Sequence, residues 1–578
     1  MNAKTLQPLV WCLITLIVPA TLAAQTASSP STEVDALKTQ LAEQQKQIDM
    51  LKLALEDQKK LLEHLSNAAP AAGAASSASA PAKQDFTLPV KTLGQVASAT
   101  PIIPPSSVAA TPVVPPSILT AAAQQPPAGA SANPCEAVPG GQAPAFFRLG
   151  STCLVPIGFM DATFVYRDKN SGGSGIGSNF GNIPYNNTVN GTLGEARFSP
   201  QNSRIGFRFD GDWKGAHFIG YNEFDFLGTS ASNAITVTNG AFVPRLRLYW
   251  VNVRKDKLEF LAGQSWSMLT PNRRGISPLP GDLFYSQVMD VNYMAGLTWT
   301  RQPGMRVLYH PSNALTFGFS VENPEQYIGG SAGGSGITLP SAAPLAGLSG
   351  TQLDAGNVNY STPVVHPDFI AKVAFDPSAK FHAEVGGIER DFKIVNPTNL
   401  VLQQTSHKTG AGVLAGVNGE IFPGFRLITT NFWGDGVGRY LFGQAPDLIV
   451  RADGTLSLMH SAGTVDGFEW THGKWLWYAY YGGIYIPKNV AIDSTGKPIG
   501  YGYAGSPNSQ NKAIQEATAG FNYTFWRDPR YGAVNLISQY EYLTRDPWFI
   551  AAGSPKATHD NTIFIDIRYT LPGSMPPF

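Results

Sequence analysis

Charge is scarce in this sequence. Lys, Arg, Asp and Glu make up 14% of the 578 residues, against roughly 25% in ordinary soluble domains. The two signs balance at 41 each, so no bulk basic field points to a nucleic-acid partner. Long apolar runs are missing too. Beyond a stretch from Leu9 to Leu22, nothing approaches the ~20 residues of a spanning helix. Cysteine occurs three times, and His217, His310, His366, His382, His407, His460, His472 and His559 are scattered with no ligand-like pair. No His-Glu-x-x-His and no phosphate-binding glycine loop is present. Gly263-Gln264-Ser265-Trp266-Ser267 lacks the second glycine of a nucleophile elbow. No enzyme, cofactor or metal is expected. Low charge without long apolar runs is the composition of a chain whose lipid-facing residues alternate with residues facing water.

The first 144 residues divide into three. Residues 1–24 have the form of a secretory signal: Lys4, the apolar stretch, then Leu22-Ala23-Ala24 before Gln25. Residues 33–66 carry five heptads, with Val34, Leu41, Ile48, Leu55 and Leu62 at a and Leu37, Gln44, Leu51, Gln58 and Leu65 at d. Such a seam needs partner chains. Two Gln at d suit the roomier core of a three-helix coil; a dimer, or a lone amphipathic helix on a surface, are the other readings. Residues 67–144 are a Pro/Ala/Ser-rich linker, with Pro104-Pro105, Pro115-Pro116 and Pro126-Pro127, too poor in large apolar residues to form a core. Cys135 and Cys153 flank the end of this segment, before the first expected strand. In an exported chain they form a disulfide.

Residues 145–578 alternate with a period of two, which is the signature of strands. Between Asn561 and Leu571, Ile563, Ile565, Ile567, Tyr569 and Leu571 share one face, while Thr562, Asp566, Arg568 and Thr570 share the other with Phe564. Ser203–Asp210 sets Ile205, Phe207 and Phe209 against Arg204, Arg208 and Asp210. Pro244–Val253 sets Leu246, Leu248 and Trp250 against Arg245, Arg247 and Tyr249. Thirteen further segments, near 156–166, 216–226, 257–264, 303–310, 314–321, 367–375, 380–389, 410–419, 424–433, 464–471, 474–486, 513–525 and 531–544, bring the total to sixteen. The expected fold is an all-β transmembrane antiparallel barrel, with an N-terminal α-helical coiled coil. Tight connections such as Gly211–Lys214 and Pro311–Asn313 alternate with long ones at 167–201, 322–366 and 487–512, as in outer-membrane barrels. Trp475, Trp477, Tyr478, Tyr480, Tyr481 and Tyr485 crowd one segment and are expected to form an interfacial girdle.

A pore selects by width and by the charges that line it. The alternation turns Arg204, Arg208, Arg245, Arg247 and Arg568 inward, with Asp161, Asp210, Glu223, Asp225 and Asp566. Arginine binds carboxylates bidentately. These residues are read either as a basic ladder facing an acidic wall, or as ion pairs such as Arg204–Glu223 and Arg245–Asp225 bracing the wall. The segment Ser267–Tyr293, with Arg273, Arg274, Asp282 and Asp290, is a candidate constriction loop; a surface loop is the other reading.

Five strings in order, Asn202-Ser203-Arg204-Ile205-Gly206-Phe207, Glu223-Phe224-Asp225-Phe226, Arg245-Leu246-Arg247, Gly263-Gln264-Ser265-Trp266 and Arg301-Gln302-Pro303, resemble the DcaP-like trimeric porin family. The layout of signal, coiled coil, linker and barrel is similar too. The resemblance implies sixteen strands, three copies per assembly and passive uptake of small organic anions such as dicarboxylates. The linker here is longer, and Pro572 to Pro577 follow the last strand. The expected setting is the bacterial outer membrane, with lipid around the barrel and the coil in the periplasm. Two other readings are a saccharide-selective porin using aromatic side chains, and a barrel anchoring a stalk that contacts peptidoglycan.

Overall fold

A computed structural model describes residues 146–574, apart from 172–175, 229–241, 285–287, 290–293, 331–335, 357–363, 398–403, 443 and 529, together with Gln45. The signal, the linker and the heptad segment lie outside the described residues, except that Gln45 is helical.

Sixteen long strands form one closed antiparallel barrel. They are β1 (Thr152–Arg167), β2 (Arg204–Trp213), β3 (Ala216–Gly228), β4 (Val243–Lys255), β5 (Leu258–Trp266) and β6 (Arg301–Ser312). Next come β7 (Leu315–Glu322), β8 (Asp368–Ser378), β9 (Phe381–Val395), β10 (Thr405–Phe422) and β11 (Phe425–Asp435). The ring ends with β12 (His460–His472), β13 (Trp475–Tyr485), β14 (Asn511–Asp528), β15 (Gly532–Pro547) and β16 (Thr558–Thr570). Each pairs with its neighbour in sequence, and β1 pairs with β16 from Phe159↔Thr570 to Arg167↔Thr562, which closes the ring. Closure leaves no unpaired edge, the condition for strands to stand in hydrocarbon. Every one of the sixteen expected segments falls on one of these strands.

Connections sort by end. Strand pairs β2–β3, β4–β5, β6–β7, β8–β9, β10–β11, β12–β13 and β14–β15 are joined by two or three residues. At Lys214-Gly215 both residues have positive φ, 49° and 76°, as two-residue turns matching strand twist require. All the long connections lie at the other end. The chain enters β1 and leaves β16 at the short-turn end, where Ser574 Oγ accepts the Gly158 N–H at 2.6 Å.

The outer surface is apolar and bounded by aromatic rings. Ile205, Phe207, Phe260, Val307, Phe319, Ile563, Ile565 and Ile567 are exposed. Trp475 and Trp477 stack at 5.1 Å near the short turns, with Tyr523 at 4.5 Å from Trp475. The expected girdle is half right. Trp475, Trp477, Tyr481 and Tyr485 face out, but Tyr478 and Tyr480 are buried inside, because strict alternation sends neighbours to opposite faces.

Two other expectations are corrected. Leu248 and Trp250 are buried at 0% and 3% exposure, while Tyr249 is exposed at 62%. The ladder slips between Glu223↔Leu248 and Phe224↔Leu246, so Arg247 is an extra residue. A bulge of one residue exchanges the faces of all that follows. Cys153 lies inside β1, not before it; it is disulfide-bonded, and Cys135 is outside the described residues.

Candidate functional site

Arg204 is the first residue of β2 and lies opposite Phe159, midway along β1. Its neighbours round the ring at that depth are Asp225 on β3, Arg245 on β4, Trp266 at the end of β5 and Arg301 at the start of β6. At this depth β5 ends and β6 begins, while β1 goes on pairing with the short strand Glu195–Ser199. The strands thus deliver a row of inward charges to mid-barrel.

The row is tightly paired. Arg245 holds Asp225 bidentately, Nε–Oδ1 at 3.0 Å and Nη2–Oδ2 at 2.7 Å. Arg247 bridges Glu223 Oε1 at 2.8 Å and Asp225 Oδ2 at 2.5 Å. Arg204 Nη1 stands 3.6 Å from Glu223. Arg568 forks onto Asp161 at 2.7 and 2.9 Å, with Asp566 at 3.5 Å, and Arg208 holds Asp210 at 2.7 Å. The expected ladder residues are therefore all inward, and the bracing pairs Arg204–Glu223 and Arg245–Asp225 form. Their acids are interleaved with the arginines on one arc; they are not an opposing wall. Buried pairs of this kind register a structure more than they stabilise it, since desolvation offsets their attraction.

One guanidinium is left over. Arg301 stands in the string Arg301-Gln302-Pro303 and outside the ladder that alternation points to. Among the described residues its side chain makes no hydrogen bond or ion pair, and its Nη1 is buried without a partner. It lies over the Trp266 ring, 5.5 Å from the centroid, with Arg247 at 5.8 Å from the same ring. Trp266 in turn packs on Trp299 at 3.8 Å. With Arg301 the row holds six arginines (Arg204, Arg208, Arg245, Arg247, Arg301 and Arg568) against the five carboxylates of Asp161, Asp210, Glu223, Asp225 and Asp566, a surplus of one. A buried donor without an acceptor costs free energy, and a carboxylate would supply the acceptor.

Between this arc and the far wall lie the described residues of the segment that joins β5 to β6, residues 267–300. They fold inside the barrel, with Met268, Leu269, Ile276, Leu283, Phe284 and Leu297 buried. The wall holds it by carboxylates that accept its backbone N–H groups: Met268 to Glu322 at 2.7 Å, Asn272 to Glu384 at 3.1 Å, Gly275 to Asp376 at 3.0 Å and Ala295 to Glu516 at 2.8 Å. Lys372 Nζ donates to Thr270 O at 2.8 Å. Arg273 forks onto Glu469 at 2.9 and 2.6 Å, both groups nearly inaccessible to solvent. Of the candidate constriction residues, Arg273 is thus an anchor, while Arg274 and Asp282 are half-buried; Asp290 lies outside the described residues. Enclosure by the barrel lifts the Asp282 carboxyl to about 6, with Arg274 and Arg208 opposing the shift and Asp376 adding to it. These far-wall carboxylates each find a donor in this loop, whereas the Arg301 Nη1 finds no acceptor among the described residues.

A closed sixteen-strand barrel with short turns at one end, long loops at the other and a loop folded into its lumen defines the architecture of outer-membrane porins. No family model and no curated protein matches the chain. Among solved structures it is similar to the outer membrane channel DcaP of Acinetobacter baumannii, at 16% identity over 74% of this chain and 99% of that one, with a TM-score of 0.54. The fold is thus a DcaP-like porin fold. An anion-selective porin from Comamonas acidovorans matches at 10% identity over 72% and 99%, TM-score 0.41. OprB of Pseudomonas putida matches at 12% over 72% and 94%, TM-score 0.39.

Proposed function

We propose that this chain is a homotrimeric outer-membrane porin for small hydrophilic solutes, with a preference for organic anions such as dicarboxylates. Arg301 carries the proposal. A half-buried guanidinium with a buried donor that has no partner among the described residues stands mid-barrel beside Trp266, in a row where arginines outnumber carboxylates. A permeating carboxylate is offered a bidentate donor there. The inward loop at residues 267–300 narrows the path to that patch. Residues 33–66 are read as a coiled coil in the periplasm that ties three barrels together, which suits a chain entering β1 at the short-turn end.

The test is conductance of the refolded full chain in planar bilayers, with reversal potential in a salt gradient. Steps in threes, and anion preference that falls in Arg301→Ala, support the reading. A folded, inserted barrel with no conductance overturns it.

A further inference from the structure

The lipid-facing belt is interrupted on one side by polar groups. On β11 and β12, Asp466 is exposed on the outside of the barrel and accepts hydrogen bonds from Thr429 Oγ1 at 2.6 Å and Thr464 Oγ1 at 2.9 Å. Asn431 Nδ2 donates to Thr429 Oγ1 at 3.2 Å. Next along the ring, Tyr481 OH donates to Gln515 Oε1 at 3.0 Å. The register aligns these groups in adjoining rows: Thr429 opposite Asp466, Asp466 opposite Tyr481, Gly483 opposite Gln515.

Depth makes this anomalous. Trp470 lies four residues from Asp466 toward the short turns. Four residues the other way, Ala462 lies opposite Trp433 and Tyr485. At ~3.3 Å per residue along tilted strands, Asp466 falls near the middle of a hydrophobic band about 25 Å tall. A carboxylate facing acyl chains at that depth is unfavourable. Small side chains stand among the larger ones of this face, such as Phe468 and Tyr481: Ala415 on β10, Ala479 on β13, and Ala517 and Ala519 on β14. Small residues let two backbones approach closely, and polar groups bond across such contacts in membranes. On β5–β7 the outward side chains are Phe260, Val307 and Phe319, a surface suited to lipid.

We infer that the outer face of β10–β14, centred on Asp466, is the surface on which copies of this chain meet in the membrane. The occupant must itself be membrane-embedded and able to donate hydrogen bonds, which lipid tails cannot. Read as a homomeric coiled coil, the heptads of residues 33–66 would hold copies of this barrel side by side. The inference rests on the self-association proposed above and assigns it a face.

The test uses the full-length chain in native outer membranes, with p-benzoylphenylalanine replacing Ala415, Ala517 or, as the control, Val307. Irradiation is expected to give adducts at twice and three times the chain mass from positions 415 and 517 and none from 307. Adducts from 307 alone, or from 415 and 517 only to a chain of different mass, overturn the inference. A chain that is monomeric by native mass spectrometry removes the self-association reading itself, a distinguishable failure. If the bulky residue prevents folding, Thr464→Cys and Val307→Cys give the same contrast with a lipid-soluble maleimide. Position 464 should be protected and 307 labelled; equal labelling overturns the surface.

Discussion

Arg301 lies over Trp266 with no carboxylate on its guanidinium among the described residues, although Arg247, above the same ring, holds two. The two arginines should therefore respond differently to removal.

Arg301→Ala should leave the barrel intact and weaken carboxylate binding by about 1.5–3 kcal/mol, the range for hydrogen bonds to charged groups. Current block by a dicarboxylate checks this. Arg301→Lys should restore part of the effect, since it keeps the charge and loses the fork. Unchanged block in both variants would exclude Arg301 as a solute contact.

Arg247→Ala should act on stability. It strips the bridge from Glu223 and Asp225, and breaking a buried pair costs about 3–5 kcal/mol. Urea unfolding in detergent should show a lower midpoint than in Arg301→Ala.

Glu469→Gln should loosen the inward loop, because Arg273 then keeps a buried charge without its bidentate acceptor. Single-channel conductance should rise and become noisier. A conductance identical to the parent protein's would mean the loop does not set the width.

Acidity should act through Asp282. Its carboxyl titrates at about 6, above the ~3.9 of an unfolded chain. The folded state therefore binds the proton more tightly, and this group's contribution to stability is present below pH 4 and is lost as pH rises through 6. The lumen also carries one less negative charge at low pH. Anion preference, read as reversal potential, should be higher at pH 5 than at pH 8, and Asp282→Asn should reduce that difference.

The strands were readable from residues alone because their signal is local. In β16, Ile563, Ile565 and Ile567 face out while Asp566 and Arg568 face in, as a period of two demands. The same rule misplaced Leu248 and Trp250. Both are as apolar as lipid-facing residues, and a bulge at Arg247 leaves no mark in composition. The inward direction of Arg204, Arg245, Arg247 and Arg568 was legible. Arg301 had the same signal, an arginine opening a strand, but being unpaired is a property of its neighbours.

Alternating residues and short turns were enough to specify sixteen strands, their order and the sorting of loops, since each depends on contacts near in sequence. The placing of Met268–Phe284 and Met294–Thr300 inside the lumen, the pairing of each arginine and the polar interruption at Asp466 were not recoverable that way. They depend on which distant strands closure brings together: Arg273 and Glu469 are 196 residues apart, and Asp466 is out of place only once its depth between two aromatic rings is known.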